Sequence, residues 1–496
     1  MRVRVDLRAS LALVGTVLKY LAVAFLFPTG VAVYYGESVV PFVVAAGVAA
    51  GVGLSLERLG GGELGGREAF LTVALLWLGV ALVGSVPFVV AGDGVLAQPL
   101  NALFEAMSGV TTTGATVIED FDAHTRSVLM WRQLVQWLGG LGILVVATAV
   151  LSELSVGGAQ LMETETQTRN VQKLTPRIEE TARLIVRLYV AVTAAQASVL
   201  YGLHLGGAAP RMTPYNAVAH AFTSVSTSGF SPEPRSIEAF TPVVQWALVP
   251  GMFIGATSFI LIYYITRGDL SRLRRSEEFG FYVALLAFFA GTAAALLVSN
   301  GAHASFGDNV RHAVFNVVSM MTTTGYASTD FNAWSSAAKH LLFVCVFFGG
   351  MAGSTTCSIK TVRWLVVAKS FRRDLFNAVH PEAVRPVRLS GSVVDEETVR
   401  DTYAFVLASL VIFFAFAVFV AVDAERAAFD IDEFEALSAA AATFFNIGPA
   451  FGEAGPMGGY GGFSDATRLG MTVMMWVGRI EIIPVLVLLT PTYWTS

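Results

Sequence analysis

The chain has 496 residues, of which 54% are hydrophobic and 14% charged. A soluble domain carries about 25% charged residues, so this chain has too few charges to cover a water-facing surface of its size, and most of its outside must face lipid. A net charge of −5 does not favour nucleic acid, and the two cysteines, Cys345 and Cys357, form neither a metal-ligand spacing nor a disulfide framework.

Taken from the N-terminus, Arg2, Arg4 and Arg8 precede apolar residues from about Leu11 to Phe27. No small-residue cleavage site follows and another apolar stretch begins at Val39, so the segment reads as a retained anchor. Ten stretches come near the roughly 20 residues that cross a bilayer. They lie at about 10–28, 38–56, 69–91, 128–151, 182–204, 243–265, 279–299, 339–369, 402–422 and 469–490. Four apolar stretches are too short to cross, at about 100–111, 214–226, 310–322 and 433–445. Short apolar helices followed by irregular backbone are the pattern of re-entrant loops, tolerated at membrane depth only where protein buries them or a water-filled path runs beside them.

Each short stretch ends on a related loop. The copies read Val110-Thr111-Thr112-Thr113-Gly114, Val225-Ser226-Thr227-Ser228-Gly229, Met321-Thr322-Thr323-Thr324-Gly325 and, in degenerate form, Phe445-Asn446-Ile447-Gly448. The expected fold is therefore an all-α membrane protein with ten transmembrane helices. Residues 1–66 form two leading spans; four helix–pore loop–helix repeats follow at 67–155, 156–277, 278–370 and 371–496, the last beginning with a cytoplasmic connector. Four such loops on one chain predict one ring around one pore.

Cytoplasmic loops are enriched in Lys and Arg. Arg2, Arg4 and Arg8; Arg58 and Arg67; Arg169, Lys173, Arg177 and Arg183; Arg267, Arg272, Arg274 and Arg275; and Arg372, Arg373, Arg385 and Arg388 all fall on one side if ten spans alternate. Both termini are then cytoplasmic and all four loops enter from outside. The opposite linkers carry Glu119, Asp120, Asp122, Glu233, Glu238, Asp330, Asp430, Asp432 and Glu433. These predict an acidic outer vestibule that concentrates cations, or else ordinary solvated loop charge.

A dehydrated monovalent cation needs oxygens in place of its water, and extended backbone can supply carbonyls where the next residue permits unusual dihedrals. The expected ion-binding backbone is Thr112, Thr113 and Gly114; Thr227, Ser228 and Gly229; Thr323, Thr324 and Gly325; and Asn446, Ile447 and Gly448. The C-terminal ends of the short helices add a negative dipole aimed at the same place.

The stretch 339–369 is too long for one span. It is interrupted by Gly349, Gly350 and Gly353, then by Ser354-Thr355-Thr356-Cys357-Ser358-Ile359-Lys360. Such an interruption below a filter can form a loop that blocks or clears the path; the alternative for Gly349 and Gly350 is close helix packing. Arg479 and Glu481 stand in the last span, and a mid-membrane arginine costs about 2.5–3.5 kcal/mol, so it needs a partner or a protein-lined path. Two apart on a helix they would not share a face, and Arg479 reads as the sole arginine deep in the pore-forming spans after the third loop. It either closes the pore or joins a buried ion pair. Lys360 belongs to the gate or snorkels to the cytoplasm. Glu105 reads as a structural carboxylate, and His220 and His312 as packing residues more than proton carriers. There is no Walker A loop, and Gly139-Gly140-Leu141-Gly142 lacks the strand and acidic partner of a dinucleotide site, so no enzyme activity and no organic cofactor is expected.

With these loops, four further segments resemble one family: Arg132-Gln133-Leu134-Val135-Gln136-Trp137-Leu138-Gly139-Gly140-Leu141-Gly142-Ile143, Lys173-Leu174-Thr175-Pro176-Arg177-Ile178, Ala383-Val384-Arg385-Pro386-Val387-Arg388-Leu389 and Gly478-Arg479-Ile480-Glu481. Over nearly its whole length the chain resembles the TrkH/KtrB/HKT superfamily of potassium transporters, most closely the TrkH branch. The resemblance implies four repeats around a central pore, assembly as a homodimer in the plasma membrane, and uptake of potassium gated by a cytosolic TrkA-type nucleotide-binding ring. It also implies that glycine rather than serine at position 114 favours potassium, and that the arginine of the last motif lies near the pore constriction. The family's gating loop, GGxAGST, is followed by two more glycines and a lysine; here Cys357 and Ser358 replace those glycines, and Ala450 stands where a second glycine is common in the fourth loop. A secondary transporter coupling a cation or proton to uptake remains the alternative reading.

Overall fold

A computed structural model of the protein describes residues 5–61, 65–146 and 178–495. Arg2, Arg4, Arg169, Lys173, Arg177, the end of the 128–151 stretch and the boundary at 155 lie outside the described residues.

Helix α1 (Leu7–Ala24) starts on Asp6, whose carboxylate accepts from the Arg8 and Ala9 amides. It continues almost directly into α2 (Leu26–Tyr35), and α3 (Val40–Glu57) returns against it. Gly15 and Gly53 set this contact: a Cβ on either would lie under 3.0 Å from the backbone of the opposite helix. Next come α4 (Gly66–Ala91), α5 (Pro99–Val110), α6 (Arg126–Val146), α7 (Ile178–Leu205), α8 (Pro214–Val225), α9 (Pro242–Gly255), α10 (Phe259–Thr266), α11 (Leu270–Arg275) and α12 (Glu277–Ser299). The chain continues with α13 (Phe306–Met321), α14 (Ser336–Cys345), α15 (Thr361–Val379), a hairpin of β1 (Arg388–Leu389) and β2 (Ser392–Val393), α16 (Glu396–Arg426) and α17 (Glu433–Phe444). It ends with α18 (Asp465–Arg479), α19 (Ile483–Leu488) and α20 (Pro491–Thr495). Pro at the first turn of α5, α8 and α9 costs no hydrogen bond there and presets the helical φ.

Among the described residues seven helical elements, with α1 and α2 taken as one, are long and apolar enough to cross a membrane; α9 and α10, bent by 105° at their junction, make an eighth if taken together. The sequence predicts ten. Three of its stretches are not continuous helices: 243–265, which is α9 and α10 on either side of that bend, and the two described next. The 339–369 stretch divides into α14, a non-helical segment at 346–360 and α15. The backbone of that segment is paired internally and with the bend between α9 and α10. Gly349 N donates to Ile359 O at 2.9 Å, Met351 N to Ala256 O at 2.9 Å, Thr355 N to Gly255 O at 3.1 Å and Phe259 N to Gly353 O at 3.1 Å. Two helix breaks thus satisfy one another inside protein, the condition for irregular backbone at membrane depth. The 469–490 stretch breaks after Arg479, where Glu481 and Ile482 adopt φ of 64° and 59°. A β-branched residue there is a conformational outlier.

Candidate functional site

The four short helices α5, α8, α13 and α17 each run into a loop of the same backbone shape. Thr112, Thr227, Thr323 and Asn446 have φ of 55°, 52°, 52° and 55°, and Gly114, Gly229, Gly325 and Gly448 have φ of 82°, 78°, 79° and 101°. The amide before each glycine reaches back five residues to its helix: Thr113 to Ser108 O at 2.9 Å, Ser228 to Thr223 O at 2.9 Å, Thr324 to Ser319 O at 2.8 Å and Ile447 to Ala442 O at 2.9 Å.

The four loops close a ring in chain order. A Cβ on Gly114 would collide with the carbonyl oxygen of Ser228, one on Gly229 with that of Thr324, one on Gly325 with that of Ile447, and one on Gly448 with that of Thr113, each under 3.0 Å. Every glycine therefore gives up its side chain to the neighbouring loop's backbone as well as to its own φ. All four glycines line one cavity, with Arg132, Glu233 and Tyr460 among its walls.

Behind the ring, hydroxyls tie the loops to themselves. Thr111 and Thr113 meet at 2.7 Å, Ser226 and Ser228 at 2.5 Å, and Thr322 and Thr324 at 2.8 Å. The fourth loop has no such pair. Phe445 packs instead on Phe347 and Phe413, and the Asn446 amide donates to Thr113 Oγ1 and to Met475 O, both at 2.8 Å. One of the four ring carbonyls already accepts a bond, Ser228 from Gln136 Nε2 at 2.6 Å, and so does the Gly448 carbonyl, from the Tyr460 hydroxyl at 2.7 Å. A carbonyl has a second lone pair.

Polar side chains nine residues before the first three glycines brace the chain just after them. Glu105 accepts from Thr116 Oγ1 at 2.9 Å and Val117 N at 3.0 Å; His220 Nε2 lies 3.0 Å from Ser231 Oγ; Asn316 receives Ser328 N at 3.3 Å and donates to its Oγ at 3.0 Å. In the fourth repeat Ser438 Oγ takes the Phe451 amide at 3.0 Å. Glu105 also forms a fully buried ion pair with Arg132 at 2.6 Å. His312 Nδ1 lies 2.9 Å from the same Ser328 hydroxyl. Glu105, His220 and His312 all have structural partners.

The 346–360 segment contributes no residue to the lining of the cavity at the four glycines. It touches the central hydroxyl of three loops: Cys357 N donates to Thr323 Oγ1 at 3.0 Å, Thr355 Oγ1 meets Thr227 Oγ1 at 2.9 Å, and Cys357 Sγ lies 3.9 Å from Thr112 Oγ1. The six residues named for the gate meet here. Gly349 and Gly350 lie so close to the Cys357 and Ala256 carbonyls that a Cβ would not fit, and Gly353 has φ 74°. Ser354 Oγ bonds Thr356 Oγ1 at 2.8 Å, and the buried Lys360 ammonium donates to the Thr356 carbonyl. Arg479, 2% exposed, donates to Thr355 O at 3.0 Å, Cys357 Sγ at 2.8 Å and Gly139 O at 2.9 Å. It has no carboxylate partner among the described residues.

Arg479 is not the sole deep arginine after the third loop: Arg363, at the start of α15, is 1% exposed and pairs with Glu481 at 2.6 Å. Because α18 ends at Arg479, the two-residue helical offset expected between Arg479 and Glu481 does not apply. Gln136 and Asn316 are further residues that sequence reading left without a role. Spacing held a signal for both: Gln136 is one helical turn after Arg132, and Asn316 is nine residues before its glycine, as Glu105 is before Gly114.

The outer acids divide between two cavities and the surface: Asp122 and Glu233 line an outer cavity beside the ring's own. Of those named, Glu233 alone also lines the ring's cavity, and it pairs with Arg211 at 2.7 Å. Asp330 and Asp432 cap helices, and Glu238 pairs with Arg235. His124, in the linker before α6, is held below the ordinary imidazole value, first by burial and then by the Arg132 charge, so it adds no positive charge at neutral pH.

The sequence profile of the TrkH family, described as cation transport protein, matches residues 42–495. The Trk system potassium uptake protein TrkH of Halomonas elongata is 35% identical over 99% of both chains, and that of Vibrio parahaemolyticus 34% identical over 99% of both. The crystal structure of the potassium transporter TrkH from Vibrio parahaemolyticus superposes with a TM-score of 0.87 at 32% identity, covering 98% of this chain and 99% of the other.

Proposed function

The chain belongs to the TrkH family of cation transport proteins, and from that premise we propose that it takes up potassium across the plasma membrane through a channel-like pore. The observation that carries this reading is the closed ring of four glycines, each seated against the carbonyl of the next loop. Carbonyls held in a ring replace the hydration shell of a monovalent cation. Four helix C-termini converge on it and add negative potential without adding a group that titrates. The filter backbone comprises Thr112–Gly114, Thr227–Gly229, Thr323–Gly325 and Asn446–Gly448, and glycine at position 114 favours potassium over sodium. The names of the relatives, potassium uptake proteins of a Trk system, support potassium as the permeant ion.

The 346–360 segment, with Arg479, Lys360 and the glycines at 349, 350 and 353, is the gate. A positive charge and a plug of backbone on the inner side of the ring oppose a cation leaving it. Both termini are cytoplasmic. The end of α15, with Arg372, and the connector to α16, with Arg385 and Arg388, face a cytosolic nucleotide-binding ring of the TrkA type. Two copies of the chain pair in the membrane, and each conducts through its own pore because all four loops lie on one chain.

The test is the reversal potential of the purified protein in liposomes under imposed potassium, sodium and proton gradients. A reversal potential set by potassium alone supports the pore. One that follows the proton gradient supports the cation-coupled transporter instead.

A further inference from the structure

The Arg363–Glu481 pair joins two breaks that the sequence does not connect. Arg363 lies in the first turn of α15, three residues after Lys360 and the end of the 346–360 segment. Glu481 is two residues beyond Arg479, in the left-handed turn that separates α18 from α19. Arg363 Nη2 reaches Glu481 Oε2 at 2.6 Å, and the guanidinium lies 3.7 Å from the ring centre of Phe405 on α16.

The turn at 480–482 is not held by its own preferences. Glu481 and Ile482 are consecutive non-glycine residues at φ near 60°, and such conformations persist only where the surroundings over-determine them. Besides the backbone bonds of Glu481 N to Gly478 O at 3.3 Å and Ile482 N to Val477 O at 3.1 Å, the ion pair at the turn among the described residues is that of Glu481 with Arg363. The turn in turn fixes where Arg479 stands, since only Ile480 separates it from Glu481. Further along, α15 carries Lys369, which pairs with Glu277, and Arg373, which pairs with Glu396 at the start of α16. One helix therefore connects cytoplasmic ion pairs to the turn behind the barrier arginine.

Resting on the gate proposed above, we propose that Arg363 is a positioning residue: through Glu481 it holds the 480–482 turn strained and Arg479 against the 346–360 segment. Release of this pair lets the turn relax, withdraws the Arg479 guanidinium from Thr355 and Cys357, and opens the path. The displacement that releases it is a shift of α15 driven from its cytoplasmic end.

The experiment measures potassium flux from liposomes holding the full-length protein without any cytosolic partner. Glu481→Gln keeps the shape of the side chain and removes the charge; it should raise basal flux about tenfold, as the loss of about 1.4 kcal/mol of bias toward the closed state implies. Arg363→Lys keeps the charge but loses the fork that meets a carboxylate, and should raise flux severalfold. The swap Arg363→Glu with Glu481→Arg should return flux toward the parent level. The potassium-to-sodium ratio should stay unchanged in all three, because the filter is untouched. Unchanged basal flux in folded Glu481→Gln and Arg363→Lys proteins overturns the proposal, as does a rise accompanied by lost selectivity. Arg479→Ala separates the two levels: if it raises flux and the pair variants do not, the gate stands and the positioning role falls; if it too leaves flux unchanged, the gate reading itself fails.

Discussion

Arg479 Nη1 lies 2.8 Å from Cys357 Sγ and 3.0 Å from the Thr355 carbonyl, so a cation from the last repeat is clamped onto the interrupted helix of the third. Its second terminal nitrogen holds Gly139 O of the first repeat at 2.9 Å. The side chain thus acts as both charge and clamp, and substitution can separate the two. At an effective dielectric of about 20, two unit charges 4 Å apart interact by about 4 kcal/mol. Arg479→Ala removes both functions and should raise regulator-free potassium flux strongly. Arg479→Lys keeps the charge but cannot reach three acceptors as a planar fork does, so its flux should fall between parent and alanine. A lysine variant as leaky as alanine would show that the clamp, not the charge, closes the path.

Cys357 and Ser358 replace residues that are glycine in the family pattern, and the structure gives them opposite effects. The Cys357 sulfur is one of the three groups that hold Arg479. Cys357→Ala should loosen that hold and raise basal flux. Ser358 sits at φ 60° with its hydroxyl on Val346 O at 2.7 Å. A left-handed non-glycine residue costs roughly 1–2 kcal/mol, so Ser358→Gly should relieve the closed arrangement and lower basal flux a fewfold. Measured singly in the same flux assay, the two should move in opposite directions. Glycine at both positions should therefore change flux less than Cys357→Ala alone.

The loops were legible in the sequence because their cause is local. A short apolar helix, a hydroxyl run and a glycine at a position needing φ between 78° and 101° leave few other readings. The interruption at Gly349–Gly353 was legible for the same reason. The break after Arg479 was not: Ile480, Glu481 and Ile482 contain no breaker, and the turn is held by Arg363, 118 residues away. Nor was the closing order of the ring legible, since it depends on which loop's carbonyl each glycine meets. The partners of the outer acids were not legible either, since the sequence shows charge but not the caps and ion pairs that engage Glu233, Glu238, Asp330 and Asp432. Arg363 was passed over because it lies just after the interrupted part of the 339–369 stretch, and nothing local in the sequence links it to Glu481.

The Glu105–Arg132 pair predicts a stability cost that a surface pair would not. Both side chains are essentially inaccessible, at 0% and 1%, and Glu105 also carries the Thr116 and Val117 bonds behind the first loop. Removing one partner of a buried pair costs about 3–5 kcal/mol because the other is left charged and unpaired. Glu105→Gln or Arg132→Gln should lower the thermal unfolding temperature clearly, and the double substitution should recover part of the loss. Equal and additive losses would mean that the pair is not coupled.

Assembly gives a prediction about independence. All four loops lie on one chain and close on one another without a partner. A dimer linking one intact subunit to one with a disabled ring should retain about half the flux per particle. Complete loss would point to a path shared between subunits.

Gly114 offers the sharpest test of the ring. Its φ of 82° and the Ser228 carbonyl lying where a Cβ would go leave no room for serine without displacing a neighbouring loop. That carbonyl is itself fixed by Gln136 at 2.6 Å, so the displacement must fall on the ring of carbonyl oxygens. Strain of about 1–3 kcal/mol at such a position, carried into relative ion preference, is a factor of roughly five to a hundred or more, since every 1.4 kcal/mol is about tenfold. Gly114→Ser should therefore weaken potassium over sodium by about that factor while leaving the protein folded. Gln136→Ala should weaken selectivity less, by freeing the Ser228 carbonyl rather than pushing it. If Gly114→Ser kept the parent's potassium-to-sodium permeability ratio in liposomes, position 114 would not belong to the filter.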